Sequence, residues 1–208
     1  MAGFEIKGRR LKVALDHLAA ADADLAQSLA EIGPLPPRAI APGFAGLLRI
    51  ILGQQLSVAS ARAIWERLEA KLGEPSPRAL LRLADRDLAA IGFSRQKMRF
   101  ARALAEAVKS RRLDLDALAE AEDEAAMAAL TAIDGIGPWT AEIYLLFALG
   151  RPDVMPAGDL ALLVAAQRLK RLPARPRPRE LIEMAEPWRP WRSVAARFLW
   201  HYYRNAPL

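Results

Sequence analysis

The spacing of apolar residues in the first half of the chain predicts amphipathic helices. One apolar stripe recurs at the three- and four-residue intervals of a single helix face and ends at Gly53: Phe44, Leu47, Leu48, Ile51 and Leu52. A second stripe runs from Val58 to Leu72, with Ser57 placed to cap its first turn and Gly73 to end it. Both segments are therefore predicted to be helices with one buried face.

Residues typical of helix starts and helix ends recur along the rest of the chain. Ser76 before Pro77 predicts a capped helix start, and Asp85 and Ser94 predict two more caps, opening helices to Ile91 and through Val108. Further helices are predicted over residues 117–133, 138–149, 160–169, 179–185 and 191–203. Val, Ile and Thr together number only 19 of 208 residues, too few for a large sheet. We expect an all-α fold.

Composition excludes several classes of chemistry. The chain has no cysteine and two histidines, which rules out disulfides, iron–sulfur clusters and a cysteine nucleophile. No apolar run approaches a membrane span, and Asp16, Asp22 and Asp24 interrupt what would be the core of a signal peptide. We expect a cytoplasmic protein without cofactor.

The net charge of +6 is concentrated towards the C-terminus, where residues 151–208 hold 11 Lys and Arg against 5 Asp and Glu. A basic end suits a polyanion such as DNA, although a solvated basic surface is an equal explanation of charge alone. A second basic cluster follows Gly92 without an intervening acid, and could track a nucleic-acid backbone: Arg95, Lys97, Arg99 and Arg102.

The segment from Leu130 to Ala141 predicts a helix-hairpin-helix. A helix ends near Ile133, Gly135 and Gly137 permit a turn, and Pro138 begins the next helix. Such a turn exposes backbone N–H groups at a helix N-terminus, where they can hold a phosphate without reading sequence. A glycine-rich helix connection with Ile136 packed inward is the alternative.

Four ordered blocks, spread over about residues 44–205, resemble the helix-hairpin-helix (HhH-GPD) superfamily of DNA glycosylases, and within it the DNA-3-methyladenine glycosylase II branch. They are residues 51–57, the hairpin at 135–141, the Gly/Pro loop with its aspartate at 153–160, and residues 188–193. The resemblance implies a single two-lobed helical bundle, with lobes at about 44–150 and at 1–43 plus 151–208. It also implies a monofunctional enzyme that releases alkylated purines, 3-methyladenine and 7-methylguanine, in base excision repair.

The resemblance makes Asp159 the catalytic carboxylate, which would stabilise an oxocarbenium-like sugar, although Asp159 could also simply cap the helix from Leu160. Trp139 stands where bifunctional relatives carry a lysine nucleophile, so no strand cleavage is expected. The base pocket is expected to be lined by Trp139, Trp200, Gln54 and Tyr144, and the aromatic ring faces would attract a cationic base.

The resemblance also implies damaged double-stranded DNA as partner, bound by a monomer that is nucleoid-associated if the source is bacterial. The expected DNA-binding residues are Gln55, Gly135, Ile136, Gly137, Thr140, Arg95 and Lys97. Gln55 would fill the gap left by the flipped base, or be a surface residue at a helix end. No metal is required, although a monovalent cation could sit in the hairpin near Ile133 and Gly135.

Three alternatives remain open at this point. The lesion could be uracil, hypoxanthine or ethenoadenine instead. The chain could be a non-catalytic DNA-binding module that uses the hairpin alone, in which case Asp159 would serve no purpose at the DNA. A helical protein-interaction domain would explain neither the hairpin nor the basic end.

Overall fold

The computed structural model describes residues 6–205, and in this part of the chain the regular structure is entirely helical. The expectation of an all-α fold is confirmed. The helices are α1 (Gly8–Ala21), α2 (Ala23–Ile32), α3 (Phe44–Gly53), α4 (Val58–Leu72), α5 (Pro77–Arg82), α6 (Asp85–Ile91), α7 (Arg95–Lys109), α8 (Ala117–Glu120), α9 (Asp123–Thr131), α10 (Pro138–Phe147), α11 (Leu160–Leu169), α12 (Pro178–Met184), a 3₁₀ turn (Glu186–Trp188) and α13 (Arg192–Asn205). None of these helices has the length and apolar character needed to cross a bilayer.

The helices fall into two compact units. One unit joins the chain up to Ala39 with the chain from Leu145 onward, and the other is the continuous segment from Ile40 to Tyr144. We call them the terminal unit and the central unit. The lobe boundaries predicted from the sequence, at residues 43/44 and 150/151, lie a few residues after the observed ones. The observed second boundary falls inside α10, whereas the predicted one follows that helix.

The central unit is organised around α3, which packs against α4 and α7. All of its predicted stripe is buried, from Phe44 through Leu52. The predicted serine caps are confirmed, with the Oγ atoms of Ser57, Ser76 and Ser94 each accepting the backbone N–H three residues ahead at 3.1 to 3.3 Å. These caps fix where α4, α5 and α7 begin.

Two local predictions were wrong. Residues 117–133 form two helices, because Ala121 and Glu122 are extended and the acidic pair Asp123 and Glu124 favours a new helix N-terminus after them. Asp85 is the first residue of α6 rather than its cap. The N-cap residue of α6 is Ala84, whose N–H donates to Asp87 Oδ2 at 3.2 Å.

The terminal unit is held by a buried polar cluster around Asp22. Its Oδ1 caps α2 by accepting the N–H groups of Asp24 and Leu25, and it also accepts Lys170 Nζ at 2.6 Å. Its Oδ2 accepts Trp188 Nε1 at 2.9 Å. Asp22 therefore ties α2 to the end of α11 and to the 3₁₀ turn. No sequence pattern indicated this role, since Asp22 was interpreted only as an interruption of an apolar segment.

The Asp22 cluster predicts a pH-dependent stability. Burial alone would raise the pKa of Asp22, but the hydrogen bonds from Lys170, Leu25 and Trp188 outweigh it and hold that pKa below its usual value. A depressed folded-state pKa means that the stabilisation is complete above about pH 4 and is lost as the pH falls through the folded-state pKa.

Asp22→Ala is expected to lower the free energy of unfolding by about 3 kcal/mol at neutral pH, because Lys170 and the α2 terminus lose their buried partner. Denaturant unfolding at a series of pH values measures this difference, which should narrow below about pH 4. The control is Asp16→Ala, which removes an exposed ion pair with Lys12 and should change the free energy by less than about 1 kcal/mol. An equal loss in both variants would contradict the special role of Asp22.

Candidate functional site

The predicted hairpin connects α9 to α10 in the central unit. Gly135 adopts φ +90°, and a Cβ atom built there would overlap the ring of Phe100. Only glycine fits, because both the backbone conformation and the contact with the Phe100 ring exclude a side chain. Ile136 is buried, and its N–H donates to Ile133 O at 3.0 Å. Ile136 thus packs inward, and the prediction that it contacts DNA is corrected, because it offers neither its side chain nor its N–H to a ligand.

The exposed part of the turn is Gly137. A Cβ atom there would meet nothing within 4 Å, so the approach to its backbone is open. Within residues 6–205, neither the Gly135 nor the Gly137 N–H donates a hydrogen bond. Both groups lie just before the N-terminus of α10, where the helix dipole favours an anion.

Gln54 ties the end of α3 to the hairpin. Its Nε2 donates to Gly135 O at 2.9 Å and to Thr140 Oγ1 at 2.8 Å, which uses both amide hydrogens. Gln54 was expected near the base pocket and Thr140 at the DNA. Instead, Gln54 braces the hairpin, and Thr140 is buried as its partner. Gly135 O, one of the two carbonyls expected near a cation, already accepts one hydrogen bond from this amide.

Lys97 fixes the turn after α3. Its Nζ donates to the carbonyl oxygens of Ile51, Leu52 and Gln54 at 3.1, 2.7 and 2.9 Å, so that all three N–H donors are engaged. Burial lowers the pKa of the Lys97 ammonium. The predicted DNA contact of Lys97 is therefore corrected: this side chain satisfies the carbonyls at the end of a helix, where a cation is most favourable.

The turn that Lys97 holds presents Gln55 to the outside. Gln55 is exposed and adopts φ +57°, a left-handed conformation that is uncommon for a residue other than glycine. Strained positions of this kind cluster at functional sites. Gln55 also borders a cavity of about 230 Å³ together with Ser94, Gln96 and Phe100. Its geometry fits a residue that reaches outward from a fixed turn, and its role stays a prediction.

The basic cluster on α7 is largely engaged within the central unit. Arg99 pairs with Asp134 at 2.9 Å, and Arg102 pairs with Asp85 at 2.6 Å. Arg95 is exposed at the first position of α7. Of the two predicted basic DNA contacts, Arg95 and Lys97, only Arg95 is placed so that it can reach a ligand.

Asp159 lies in the terminal unit at the N-terminus of α11. Its Oδ1 accepts the N–H groups of Ala161 at 2.9 Å and Leu162 at 3.2 Å, so the expectation that Asp159 caps this helix is confirmed. The side chain is half-buried. Both cap bonds use Oδ1, and they fix the carboxylate without solvent between it and the backbone.

The loop that leads to Asp159 is anchored at its start. Asp153 accepts Arg192 Nε at 2.8 Å and Arg189 Nη1 at 2.6 Å, while Ser193 Oγ accepts the Val154 N–H at 2.9 Å. The block at residues 188–193, one of the four that carry the family resemblance, therefore holds the Gly/Pro loop in place.

The predicted aromatic residues have different environments. Trp200 is 8% exposed and its ring centroid lies 5.5 Å from that of Phe147, whereas Trp139 is half-buried in the central unit. Tyr144 is fully buried, and its hydroxyl accepts the Gly43 N–H at 2.9 Å. The expectation that Tyr144 lines the pocket is corrected, because its ring has no exposed surface with which to contact a base.

Sequence reasoning missed Phe147 and Arg38 in the terminal unit. The Arg38 guanidinium lies over the ring of Phe147 and also over that of Trp200. Arg38 and Trp200 are separated by more than 160 residues, and no local spacing connects them. Among the described residues, no cluster of three or more His, Asp or Glu side chains could hold a metal ion.

Comparison with known proteins places this geometry in a family. Residues 48–190 match the family model of the HhH-GPD superfamily of base excision DNA repair proteins. DNA-3-methyladenine glycosylase 1 of Schizosaccharomyces pombe is 35% identical over 158 residues, which cover 74% of this chain and 69% of the relative. The alkylbase DNA glycosidase-like protein mag2 of the same yeast is 29% identical over 196 residues, covering 91% of this chain and 92% of that protein.

A solved structure agrees with these relatives. The S. pombe 3-methyladenine DNA glycosylase in complex with abasic DNA superposes with a TM-score of 0.86 at 31% identity, covering 93% of this chain and 97% of that one. The resemblance found in the sequence blocks is confirmed. The chain belongs to the HhH-GPD superfamily of base excision DNA repair proteins.

Proposed function

We propose that this chain is a monofunctional DNA glycosylase that hydrolyses the N-glycosidic bond of alkylated purines in duplex DNA, 3-methyladenine first and 7-methylguanine second. The observation that carries the proposal is the fixed carboxylate of Asp159 at the N-terminus of α11. Relatives that bear the names of 3-methyladenine glycosylases support the choice of lesion.

Asp159 supplies the electrostatic part of the reaction. As the bond between base and sugar breaks, positive charge develops on the sugar, and a carboxylate held nearby stabilises it or orients the attacking water. The two backbone hydrogen bonds to Oδ1 hold the group in place before the reaction, so little reorganisation is needed. The base leaves with the electron pair of the broken bond, the water oxygen bonds to the sugar carbon, and the proton that the water loses passes to solvent, which leaves an abasic site and a free base.

One carboxylate suffices for an alkylated purine. N-alkylation makes the base cationic, so the leaving group departs as a neutral molecule without a general acid. Trp139 has no amine, so the chain has no nucleophile there for a Schiff base and strand cleavage is not expected. Neutral lesions such as uracil, hypoxanthine and ethenoadenine remain the alternatives within the same reaction class.

The hairpin supplies the grip on the DNA. The N–H groups of Gly135 and Gly137 donate to no acceptor in the described part of the chain, and no side chain at Gly137 blocks a phosphate. Gln54 braces the hairpin and Lys97 braces the neighbouring turn. From that turn Gln55 reaches into the duplex, and Arg95 contacts the DNA backbone. A monovalent cation can join the Ile133 and Gly135 carbonyls to the phosphate.

We further propose that the protein acts as a monomer and without a cofactor. The enzyme works in the cytoplasm, or at the nucleoid if the source is a bacterium.

A binding-only module is the competing function, because capping α11 alone would account for Asp159. Asn caps a helix about as well as Asp, so Asp159→Asn should fold normally and bind DNA at least as tightly. If Asp159 is catalytic, release of methylated purines from alkylated duplex DNA should fall at least about a hundredfold. Strand breaks in the wild-type reaction should appear only after alkali. Equal release by both proteins would contradict the role of Asp159, and breaks without alkali would contradict the monofunctional assignment.

The two hairpin glycines separate folding from binding. Gly137→Ala should leave the melting temperature unchanged, because the added methyl group meets no atom within 4 Å, but it should weaken binding to undamaged duplex DNA about tenfold by blocking the phosphate. Gly135→Ala should lower both the melting temperature and DNA binding, because its methyl group would overlap the Phe100 ring. Thermal unfolding and a fluorescence anisotropy titration measure the two properties. Unchanged binding by Gly137→Ala would exclude the hairpin as the phosphate anchor.

A further inference from the structure

Arg38 occupies the aromatic surface formed by Phe147 and Trp200 in the terminal unit. Its guanidinium carbon lies 4.4 Å from the Phe147 ring centroid and 5.6 Å from the Trp200 ring centroid. The two rings are 5.5 Å apart and tilted by 33°, so together they form a platform for one flat cation. We call Phe147 and Trp200 the aromatic platform.

Internal pairing does not explain the position of Arg38. Within residues 6–205, its guanidinium forms no hydrogen bond and no ion pair, and it lies over the two rings. Arg38 belongs to a proline-rich connection between α2 and α3 that has no regular secondary structure. Its five donors are therefore held over the platform by cation–π attraction from a segment without a helical framework.

Arg38 lies within the electrostatic influence of Asp159. Although Arg38 keeps an exposed surface, partial desolvation lowers its pKa. Repulsion from Arg204 and Arg197 lowers that pKa further, and the attraction of Asp159 opposes these effects. Arg197 is itself fixed, because its guanidinium donates to Ile6 O at 2.9 Å and Pro36 O at 3.3 Å. A cation that approaches the platform meets three arginines and one carboxylate.

The space beside the platform is small. The cavity bordered by Arg38, Phe147 and Trp200 has a volume of about 40 Å³. Ligand pockets have volumes of about 300 Å³ or more, so a purine does not fit against these ring faces while Arg38 covers them.

We propose that Arg38 is a specificity-determining residue. Its guanidinium covers the ring faces on which a cationic purine would stack, so such a base has to displace the guanidinium. The inference rests on the proposed function, since it takes the aromatic platform, whose Arg38 interacts electrostatically with Asp159, as the surface that receives the base. A cationic methylpurine competes with Arg38 for the same ring quadrupoles and is repelled by its charge. A neutral base with a carbonyl oxygen can accept from the guanidinium instead. Arg38 thus reduces the preference of the site for cationic over neutral lesions.

The kinetic test compares two lesions in otherwise identical duplexes under single-turnover conditions. The cationic lesion is 7-methylguanine and the neutral one is hypoxanthine. Arg38→Gln should raise the ratio of the two release rates, cationic over neutral, about three- to tenfold. Arg38→Lys keeps the charge and should retain a ratio closer to that of the wild type.

Arg168→Gln is the matched control. Arg168 also lies over an aromatic ring of the terminal unit, 5.6 Å from the centroid of Tyr203, so this variant removes the same charge and the same kind of contact at another place. It should leave the ratio unchanged. Equal changes in Arg38→Gln and Arg168→Gln would assign the effect to net charge and would overturn the proposal.

A binding measurement tests Arg38 without requiring catalysis. Quenching of tryptophan fluorescence is titrated with 7-methylguanosine below neutral pH, where this nucleoside is cationic, and with inosine as the neutral probe. Arg38→Gln should tighten binding of 7-methylguanosine about three- to tenfold and leave inosine binding unchanged or weaker. Thermal unfolding of each variant verifies that the fold is retained.

The two readouts separate failure of this inference from failure of the proposed function. If the wild type releases neither base, the proposed glycosylase activity fails, and the nucleoside titration still decides whether Arg38 opposes cations. If the wild type releases 7-methylguanine but Arg38→Gln changes neither the rate ratio nor the nucleoside affinities, the proposed function stands and the role of Arg38 is overturned.

Discussion

Short helices impose the constraint on which the rest of this structure depends. Every helix end leaves backbone N–H or carbonyl groups without a partner inside the helix, and the central and terminal units contain many such ends. Lys97 satisfies three carbonyls at the end of α3, and Asp22 and Asp159 satisfy N–H groups at the starts of α2 and α11. At the turn before α10, by contrast, the Gly137 N–H stays available. The ends that are capped fix the architecture, and the open N–H groups at the turn before α10 can bind a ligand.

The caps and the hairpin could be predicted because their causes are local. Ser57, Ser76 and Ser94 each act on a residue three positions ahead, and the apolar stripe of α3 follows helical spacing, so a single sequence contains the whole signal. The hairpin was equally visible, since glycines and a proline at adjacent positions restrict the backbone by themselves.

The partners of the polar side chains could not be predicted, because they lie far away along the chain. Lys97 resembled a phosphate ligand, yet its carbonyl partners are 43 to 46 residues distant, and Gln54 meets Gly135 across 81 residues. A cationic or amide side chain has the same appearance in a sequence whether it faces a ligand or a helix end. The aromatic platform could not be predicted for the same reason, since Phe147 and Trp200 belong to different helices that are distant along the chain.

In the role proposed for the hairpin, the open turn also determines how DNA binding responds to salt. A phosphate that is bound by lysine or arginine exchanges the condensed counterions of DNA for a side-chain charge, and each exchange makes the affinity fall as ionic strength rises. The hairpin offers neutral backbone dipoles instead, while Lys97, Arg99 and Arg102 are engaged within the central unit. Fewer counterions are therefore released at this contact than its basic surroundings suggest. Such a hold on the sugar-phosphate backbone persists at ionic strengths that weaken purely cationic surfaces, and it treats every nucleotide sequence alike.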